Sequence, residues 1–365
     1  MSALNELPHV LGSGRRCTED RSLIKKCGGQ NAGRVPRGPA EMLLRCLTLF
    51  VALAGAAESA AFANDTQAFQ VPMGALPHDV APAPEGKVWY SAQRNGALGI
   101  LDPATGQSRE VKLGPKSAPH GVIQGPDGAA WLTDGGQNAI ARVDPKADDE
   151  VKVWKLPATS GYANLNTGTF DRDGVYWFTG QSGIYGRLDP RSGEIKVWKA
   201  PGGPGAYGIA ATPEGDIYYA SLAGNHIAKI DKATGAATVI EPPTKAQGAR
   251  RVWSDSKGRI WVSEWNAGQL GLYDPKTNSW REWKLPGDRP KAYAVYVDDR
   301  DIVWVSDWGA NAIVSFDPTT EAFRSYPSSE AWANVRQILG RSGEVWLPES
   351  GLDRLVVIRT APAEH

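Results

Sequence analysis

Residues 120–134, HGVIQGPDGAAWLTD, decide the fold. They predict one β-hairpin: an apolar strand over 121–124, a Pro-Asp-Gly turn over 126–128, and a second strand that ends in Trp131-Leu132-Thr133-Asp134. In such a turn proline presets φ, aspartate bonds its own backbone, and glycine accepts a positive φ. The stretch therefore defines a unit whose copies can be sought along the chain.

The hairpin recurs seven times when the copies are aligned on the aromatic residue of the second strand. Consecutive copies are 41 to 46 residues apart. A third strand that closes on Asp-Pro or Asp-Lys follows, and then a more polar fourth strand, as in 151–156 (VKVWKL). Four short strands in each repeat of this length are typical of a β-propeller blade, and the aligned aromatics are expected to pack between blades. These aromatics are Trp89, Trp131, Trp177, Tyr218, Trp261, Trp304 and Trp346.

The two ends of the repeat region predict a closed ring. The seventh copy stops after its third strand, 355–359 (LVVIR), while residues 69–72 (FQVP) stand where another blade would have its fourth strand. The sequence therefore predicts an all-β, seven-bladed β-propeller with four-stranded blades, in which the N-terminal strand completes the last blade and removes a free edge. No linker interrupts residues 64–365, which we interpret as a single propeller domain.

Residues 1–63 differ from the repeats. Residues 42–63 have the pattern of a signal peptide: a basic start at Arg45, an apolar run over 47–57 that is too short for a membrane span, and Ala61-Phe62-Ala63 before a mature start at Asn64. Residues 1–41 lack periodicity and are interpreted as a misplaced start or a disordered extension. All three cysteines precede the cut, so no disulfide is expected. We predict a periplasmic or secreted monomer without a membrane span.

The charge balance limits the partners. Lys and Arg together number 40, as do Asp and Glu, so no excess of positive charge points to nucleic acid. The expected partner is a small-molecule ligand.

Two positions of each repeat are expected to form the ligand site. The first strand of every blade lines the channel of a propeller, so its start and the end of the second strand meet at one mouth, a natural concave site. Core positions of the hairpins are uniform, whereas these positions vary in polarity and size. The first-strand set is His78, His120, Asn166, Tyr207, Arg250, Tyr293 and Val335. The second-strand set is Ala92, Asp134, Gly180, Ser221, Glu264, Asp307 and Glu349, and Trp265 and Trp308 follow two of its members.

These residue types indicate two kinds of chemistry. His78 and His120 follow prolines at equivalent places in adjacent blades; with Asp134 they would bind a divalent metal, or one imidazole would act as a general base. On the other side, indoles would stack on a flat or cyclic ligand, and carboxylates would suit Mg²⁺ or Ca²⁺. This second group contains Glu264, Asp307, Glu349, Arg250, Arg251, Arg336, Trp265, Trp308 and Trp332.

The pattern P-H-G-[IV]-x₄-D-G-x₂-W-[FL]-T-[DE], followed by N-x-I-x-R-[IVL]-D, is clearest over 119–144 and resembles the streptogramin (virginiamycin) B lyase family. The resemblance covers about residues 66–360. It implies a carbon–oxygen lyase that opens a cyclic depsipeptide by elimination at an ester, with Mg²⁺ as cofactor. It assigns the base to His120, a metal position to Asp134 and a substrate contact to His78. Ala118 stands where the family has a metal-binding Glu, and Asp134 replaces another.

Two alternatives stay open, because a propeller fold does not choose among functions. One is a gluconolactonase-like hydrolase that holds a divalent ion with Glu264, Asn166 and Asp134. The other is a non-catalytic propeller that binds a ligand or protein at the tryptophan-rich mouth. The favoured hypothesis assigns catalysis to His120 and metal binding to Asp134, Glu264 and Glu349. It assigns substrate binding to His78, Asn166, Tyr207, Arg250, Tyr293, Trp265, Trp308 and Asp307.

Overall fold

The computed structural model describes residues 66–360. The predictions for residues 1–63, including the signal peptide, the start at Asn64 and the cysteines, lie outside the described residues. Within 66–360 the chain forms seven four-stranded antiparallel sheets, with 3₁₀ turns at Pro84–Gly86, Ala158–Ser160 and Ser350–Leu352. That part of the chain contains no helix with the length and apolar character that a bilayer crossing requires.

The strands are numbered in chain order, and each blade is given from its innermost strand outward. Blade 1 is β2 (Pro77–Pro82), β3 (Val88–Ala92), β4 (Ala97–Asp102) and β5 (Gln107–Lys112). Blade 2 is β6 (Pro119–Gln124), β7 (Ala130–Asp134), β8 (Ala139–Asp144) and β9 (Glu150–Lys155). Blade 3 is β10 (Leu165–Phe170), β11 (Tyr176–Gly180), β12 (Ile184–Leu188) and β13 (Ile195–Lys199). Blade 4 is β14 (Ala206–Ala211), β15 (Ile217–Ser221), β16 (His226–Ile230) and β17 (Ala237–Ile240).

The remaining blades have the same order. Blade 5 is β18 (Ala249–Ser254), β19 (Ile260–Glu264), β20 (Gln269–Asp274) and β21 (Ser279–Lys284). Blade 6 is β22 (Ala292–Val297), β23 (Val303–Asp307), β24 (Ala312–Asp317) and β25 (Ala322–Pro327). Blade 7 is β26 (Leu339–Arg341), β27 (Glu344–Glu349), β28 (Arg354–Arg359) and β1 (Thr66–Gln70).

The ring closes as the sequence predicts. The innermost strands of blades 1 to 6 contact one another in order, and β27 of blade 7 contacts β2 of blade 1. The N-terminal strand β1 pairs antiparallel with β28 and completes blade 7. It ends at Gln70, before Pro72, which has no N–H to add to a ladder. The fold is therefore the predicted seven-bladed β-propeller.

The repeated aromatic residue packs between blades. All seven copies are at most 2% exposed. An acid in the preceding turn accepts a hydrogen bond from the indole Nε1, as Asp171 does from Trp177 at 2.8 Å and Asp298 from Trp304 at 3.0 Å. The turn and the tryptophan recur together because each buried indole N–H needs an acceptor.

A hydroxyl near the end of the second strand links the first strands of two neighbouring blades. Ser91 accepts a hydrogen bond from the Asp79 amide in its own blade at 2.9 Å and donates one to the His120 carbonyl of the next blade at 2.6 Å. Thr133 and Ser263 make the equivalent pairs of bonds. These hydroxyls hold the first strands of neighbouring blades at a set spacing, and thereby place the residues that line the channel.

Candidate functional site

A β-bulge lies at the channel-lining position in blades 1 to 6. In blade 2, for example, Pro119 pairs with Asp134 and the next pair is Val122 with Leu132. The other five blades have the same shift. A bulge re-aims the side chains of the residues it contains. Two consecutive side chains of one blade, such as His78 and Asp79, can therefore both contribute to the channel.

The two predicted histidines meet in the channel. The ring centroids of His78 and His120 are 3.7 Å apart, and both side chains are buried. Nδ1 of His78 lies 2.8 Å from the Asp79 carboxylate, and Nδ2 of Asn166 lies 3.3 Å from Nε2 of His120. Three predicted site residues from blades 1 to 3 are thus brought together, and Asp79 joins them.

Arg251 of blade 5 crosses the channel to blade 1. Its guanidinium donates to both oxygens of Asp79, at 3.1 and 3.4 Å, and to Oγ1 of Thr167 at 2.6 Å. Arg251 and Asp79 are both almost fully buried. The contact joins three blades that are not neighbours, so this ion pair fills the channel beside the histidines.

Burial and this ion pair set the protonation states of the imidazoles. Burial lowers the pKa of His78 well below its ordinary value, and the positive charges of Arg336, Arg251 and Arg250 lower it further. Burial, with the neighbouring His78, likewise lowers the pKa of His120. Both imidazoles are therefore neutral near pH 7.

The contacts also select a tautomer for each neutral ring. Burial raises the pKa of Asp79, and the Arg251 guanidinium opposes this shift. An ionised carboxylate only accepts hydrogen bonds, so Asp79 holds the proton of His78 on Nδ1 and leaves the lone pair on Nε2. His120 has the same tautomer: Nε2 accepts from the Asn166 amide, so its proton is on Nδ1, which is buried without a partner.

Blades 4 to 7 contribute an aromatic and cationic wall. The hydroxyl oxygens of Tyr207 and Tyr293 are 2.6 Å apart, and Arg250 donates to the Tyr207 hydroxyl at 3.0 Å. The Arg250 guanidinium lies 3.5 Å from the ring centroid of Tyr293 and 4.6 Å from that of Trp265. Trp308 stacks on Tyr293 with centroids 4.9 Å apart. Four of the predicted aromatic residues, Tyr207, Tyr293, Trp265 and Trp308, therefore form one continuous group with Arg250, whereas Trp332, also predicted for this wall, is 77% exposed.

The acids at the ends of the second strands have partners in their own blades or turns. Oδ1 of Asp134 accepts from the amides of Ala118 and Gln137, each at 2.9 Å. Asp307 accepts from the Lys291 amide at 2.7 Å and the Gly309 amide at 2.9 Å. These two carboxylates satisfy backbone N–H groups where the strands turn.

Glu264 and Glu349, the other two acids of this set, lie apart from each other. Glu264 accepts from Gln269 at 2.6 Å within blade 5, and burial raises its pKa to about 8. Glu349 forms a buried ion pair with Arg354 of its own blade and accepts from Ser328 at 2.8 Å. Among the described residues, no shared metal cluster joins Asp134, Glu264 and Glu349, or groups Glu264, Asn166 and Asp134.

His78, Asp79 and His120 are the described residues whose potential ligand atoms come close enough to share an ion, within 4.8 Å of one another. They do not fit Mg²⁺, which prefers several oxygen ligands in an octahedral arrangement. The group offers a single carboxylate, and the guanidinium of Arg251 already holds both of its oxygens. Three arginines add positive charge around it.

Asp79 and Thr167 were missed in the sequence analysis, which also did not predict that Arg251 crosses the channel to Asp79. All three follow a channel-lining position by one residue, where blades 2, 4 and 6 have the small residues Gly121, Gly208 and Ala294. Blade 7 has Arg336 there. A charged residue at a position where three blades have a small one was the signal that could have identified Asp79 and Arg251.

Comparisons with known proteins agree with this architecture. The sequence matches the model of the Virginiamycin B lyase family over residues 49–279, more than half of the chain. Virginiamycin B lyase from Staphylococcus aureus superposes with a TM-score of 0.74 at 21% identity, over 81% of this chain and 99% of that chain. Its catalytically inactive variant with quinupristin gives 0.74 at 20% identity, over 81% and 99%. A streptogramin B lyase gives 0.72 at 21% identity, over 80% and 96%. Such identities establish the fold alone. No curated protein sequence matches the chain.

Proposed function

The chain belongs to the virginiamycin B lyase family, and we propose that it is an exported carbon–oxygen lyase that acts on a small molecule with a cyclic or ester-linked structure. The observation that carries the proposal is the pair of neutral, buried imidazoles of His78 and His120 at the channel. A neutral imidazole accepts a proton near pH 7, which is what an elimination requires.

The elimination is balanced by groups that this site can supply. An imidazole takes the proton from the carbon beside a carbonyl group. The electron pair left on that carbon forms a C=C bond, and the C–O bond of the ester at the adjacent carbon breaks. The carboxylate leaves with the bonding electrons, and the cationic wall around Arg250 favours the negative charge that develops.

The contacts favour His78 as the proton acceptor. Asp79 holds the His78 proton on Nδ1, so Nε2 has a lone pair and no hydrogen-bond partner among the described residues. His120 accepts a bond from Asn166 at Nε2, and its Nδ1–H is free to donate to a ligand oxygen. The family resemblance gives the base to His120. The two assignments differ in whether turnover survives in His78→Asn.

Ring opening of virginiamycin B, followed by mass spectrometry, tests the proposal. Elimination within a ring gives an unsaturated product of unchanged mass, whereas hydrolysis adds the mass of one water. We expect the unsaturated product with the wild-type protein and its loss in His78→Asn. His226→Asn is the matched control, since His226 bonds to the Gly224 carbonyl in blade 4 and not to the site. Hydrolytic product, or no product, contradicts the proposed lyase.

Mg²⁺ and export are tested separately. Because the site does not offer Mg²⁺ a fitting ligand set, we expect a chelator to leave turnover unchanged. Export predicts that the mature protein, purified from the periplasm or medium, begins at or near Asn64. A protein that retains Met1 contradicts the export proposal.

A further inference from the structure

The mouth contains positive charge that the described residues do not neutralise. Arg251 has Asp79 as its partner, but Arg250 and Arg336 have no ion pair with any carboxylate in 66–360. The Nε atoms of all three arginines are buried without a hydrogen-bond partner. Arg250 and Arg336 are half-buried, so water screens their charges only in part, and this arrangement favours an anion.

The two acids at the ends of the second strands in blades 6 and 7, Asp307 and Glu349, do not neutralise Arg250 and Arg336. Glu349 forms an ion pair with Arg354 and accepts a hydrogen bond from Ser328. Oδ1 of Asp307 accepts amide hydrogen bonds in its own turn, from Lys291 and Gly309. Neither carboxylate contacts Arg250 or Arg336.

Aromatic faces hold the two free guanidinium groups. Arg250 lies over Tyr293, Trp265 and Tyr207 at 3.5, 4.6 and 4.7 Å from the ring centroids. The guanidinium of Arg336 lies 5.0 Å from the ring centroid of Trp308. Both Nε atoms are buried and Nη2 of Arg250 donates to Tyr207, so the remaining N–H groups of the two guanidinium groups are the ones that can bond to a carboxylate.

The electric field at the mouth agrees with this picture. Burial alone would raise the pKa of the Tyr293 hydroxyl, but Arg250, Arg251 and Arg336 together lower it below its ordinary value. The same three arginines lower the pKa of His78. The charges therefore act on groups from both sides of the channel, and they stabilise negative charge there.

We propose that the mouth binds a carboxylate-bearing small molecule with a planar body, whose carboxylate is attracted by the positive charges of Arg250 and Arg336 and whose flat part packs on the aromatic wall that contains Trp265 and Trp308. This inference rests on the proposed function, because an elimination at an ester releases a carboxylate, whereas binding itself does not require turnover.

Isothermal titration calorimetry with benzoate and benzamide tests the proposal. The two probes have nearly the same shape, and only benzoate is charged. We expect benzoate to bind at least about tenfold more tightly than benzamide, and this preference to disappear in Arg250→Gln/Arg336→Gln. Arg191→Gln, which removes an exposed arginine paired with Asp189 in the turn between β12 and β13, should leave the preference unchanged.

The thermal melt of the double variant gives a second measurement. The double variant loses the Tyr207 hydrogen bond and the aromatic contacts of both arginines, so we expect a lower melting temperature but a cooperative transition above the temperature of the titration. Equal affinity of the wild type for the two probes, no binding of benzoate at millimolar concentration, or a preference that persists in the folded double variant would overturn the proposal. Benzoate binding without ring opening would uphold it and count against the lyase alone.

Discussion

The side chains at the start of the first strands and those at the end of the second strands meet at the same mouth, yet they bond in different directions. The first-strand residues contact other blades: His78 stacks on His120, Arg251 reaches Asp79, and Tyr207 bonds to Tyr293. The second-strand acids bond to their own turns or their own blade, as Asp134 does.

The difference has a physical cause. A strand that turns leaves backbone N–H groups without a ladder partner, and a carboxylate at the strand end is an effective acceptor for them. A side chain in the bulge of a first strand has no such local partner and projects toward the channel. Polarity at a mouth therefore does not by itself identify ligand-binding residues. The direction in which each polar group is already bonded does.

The ion pair between Arg251 and Asp79 in the channel gives the test with the largest expected effect on stability. Asp79→Asn leaves the buried Arg251 without its counter-charge, and we expect the free energy of unfolding to fall by about 3–5 kcal/mol. Glu194→Gln, which breaks the exposed pair with Lys196, should cost at most about 1 kcal/mol. Urea denaturation measures both. Equal effects of the two variants would show that the cross-channel contact has no special role.

The histidine pair provides a test of similar size on turnover. His78→Asn keeps a polar group of related shape and removes the proton acceptor, so we expect turnover to fall about 100- to 10,000-fold. The melting temperature should stay close to that of the wild type, and His226→Asn should change neither value. Full turnover in His78→Asn together with its loss in His120→Asn would return the base to His120.

Asp134 tests the other half of the comparison. Asp134→Ala removes the acceptor of the Ala118 and Gln137 amides, and we expect a loss of about 1–3 kcal/mol in the free energy of unfolding. Gln137→Ala is a control that removes the side chain that donates to Asp134 while keeping both backbone amides bonded. A stability change in Gln137→Ala as large as that in Asp134→Ala would contradict this account of the turn.

Glu264 gives an effect that is small within any one pH unit, a pH dependence of stability. Burial raises the folded pKa of Glu264 from about 4.5 to about 8, so the folded protein keeps a proton that the unfolded chain releases between these values. Stability from this group is thus complete below pH 4.5 and falls as the pH rises toward 8, by at most about 1.4 kcal/mol per pH unit. Glu264→Gln should flatten the curve of melting temperature against pH. An unchanged slope would contradict the raised pKa.

The fold could be predicted from the sequence because the same pattern of residues recurs in each blade. Trp131 and its Pro-Asp-Gly turn have equivalents in the other blades, and the period alone gives the strand order. Residues 69–72 were predicted to close the ring, and the strand Thr66–Gln70 confirms the closure.

The candidate site could be predicted only in part, because its contacts are not periodic. His78 and His120 were identified from their equivalent positions in adjacent repeats. The pairing of Arg251 with Asp79 joins residues 172 positions apart in blades that are not neighbours, so the period gives no information about it. The partners of Asp134 were missed although they are local: both lie within three residues of the ends of its own hairpin.

The most direct test of the central claim compares ring opening of virginiamycin B by the wild type, His78→Asn, His120→Asn and Asp134→Asn, each with and without a chelator. If the chemistry lies in the first-strand residues, the two histidine variants lose turnover, whereas Asp134→Asn and chelation leave it within a few-fold of the wild type. Loss of turnover in Asp134→Asn with an intact fold, or a loss on chelation that Mg²⁺ restores, would contradict the account.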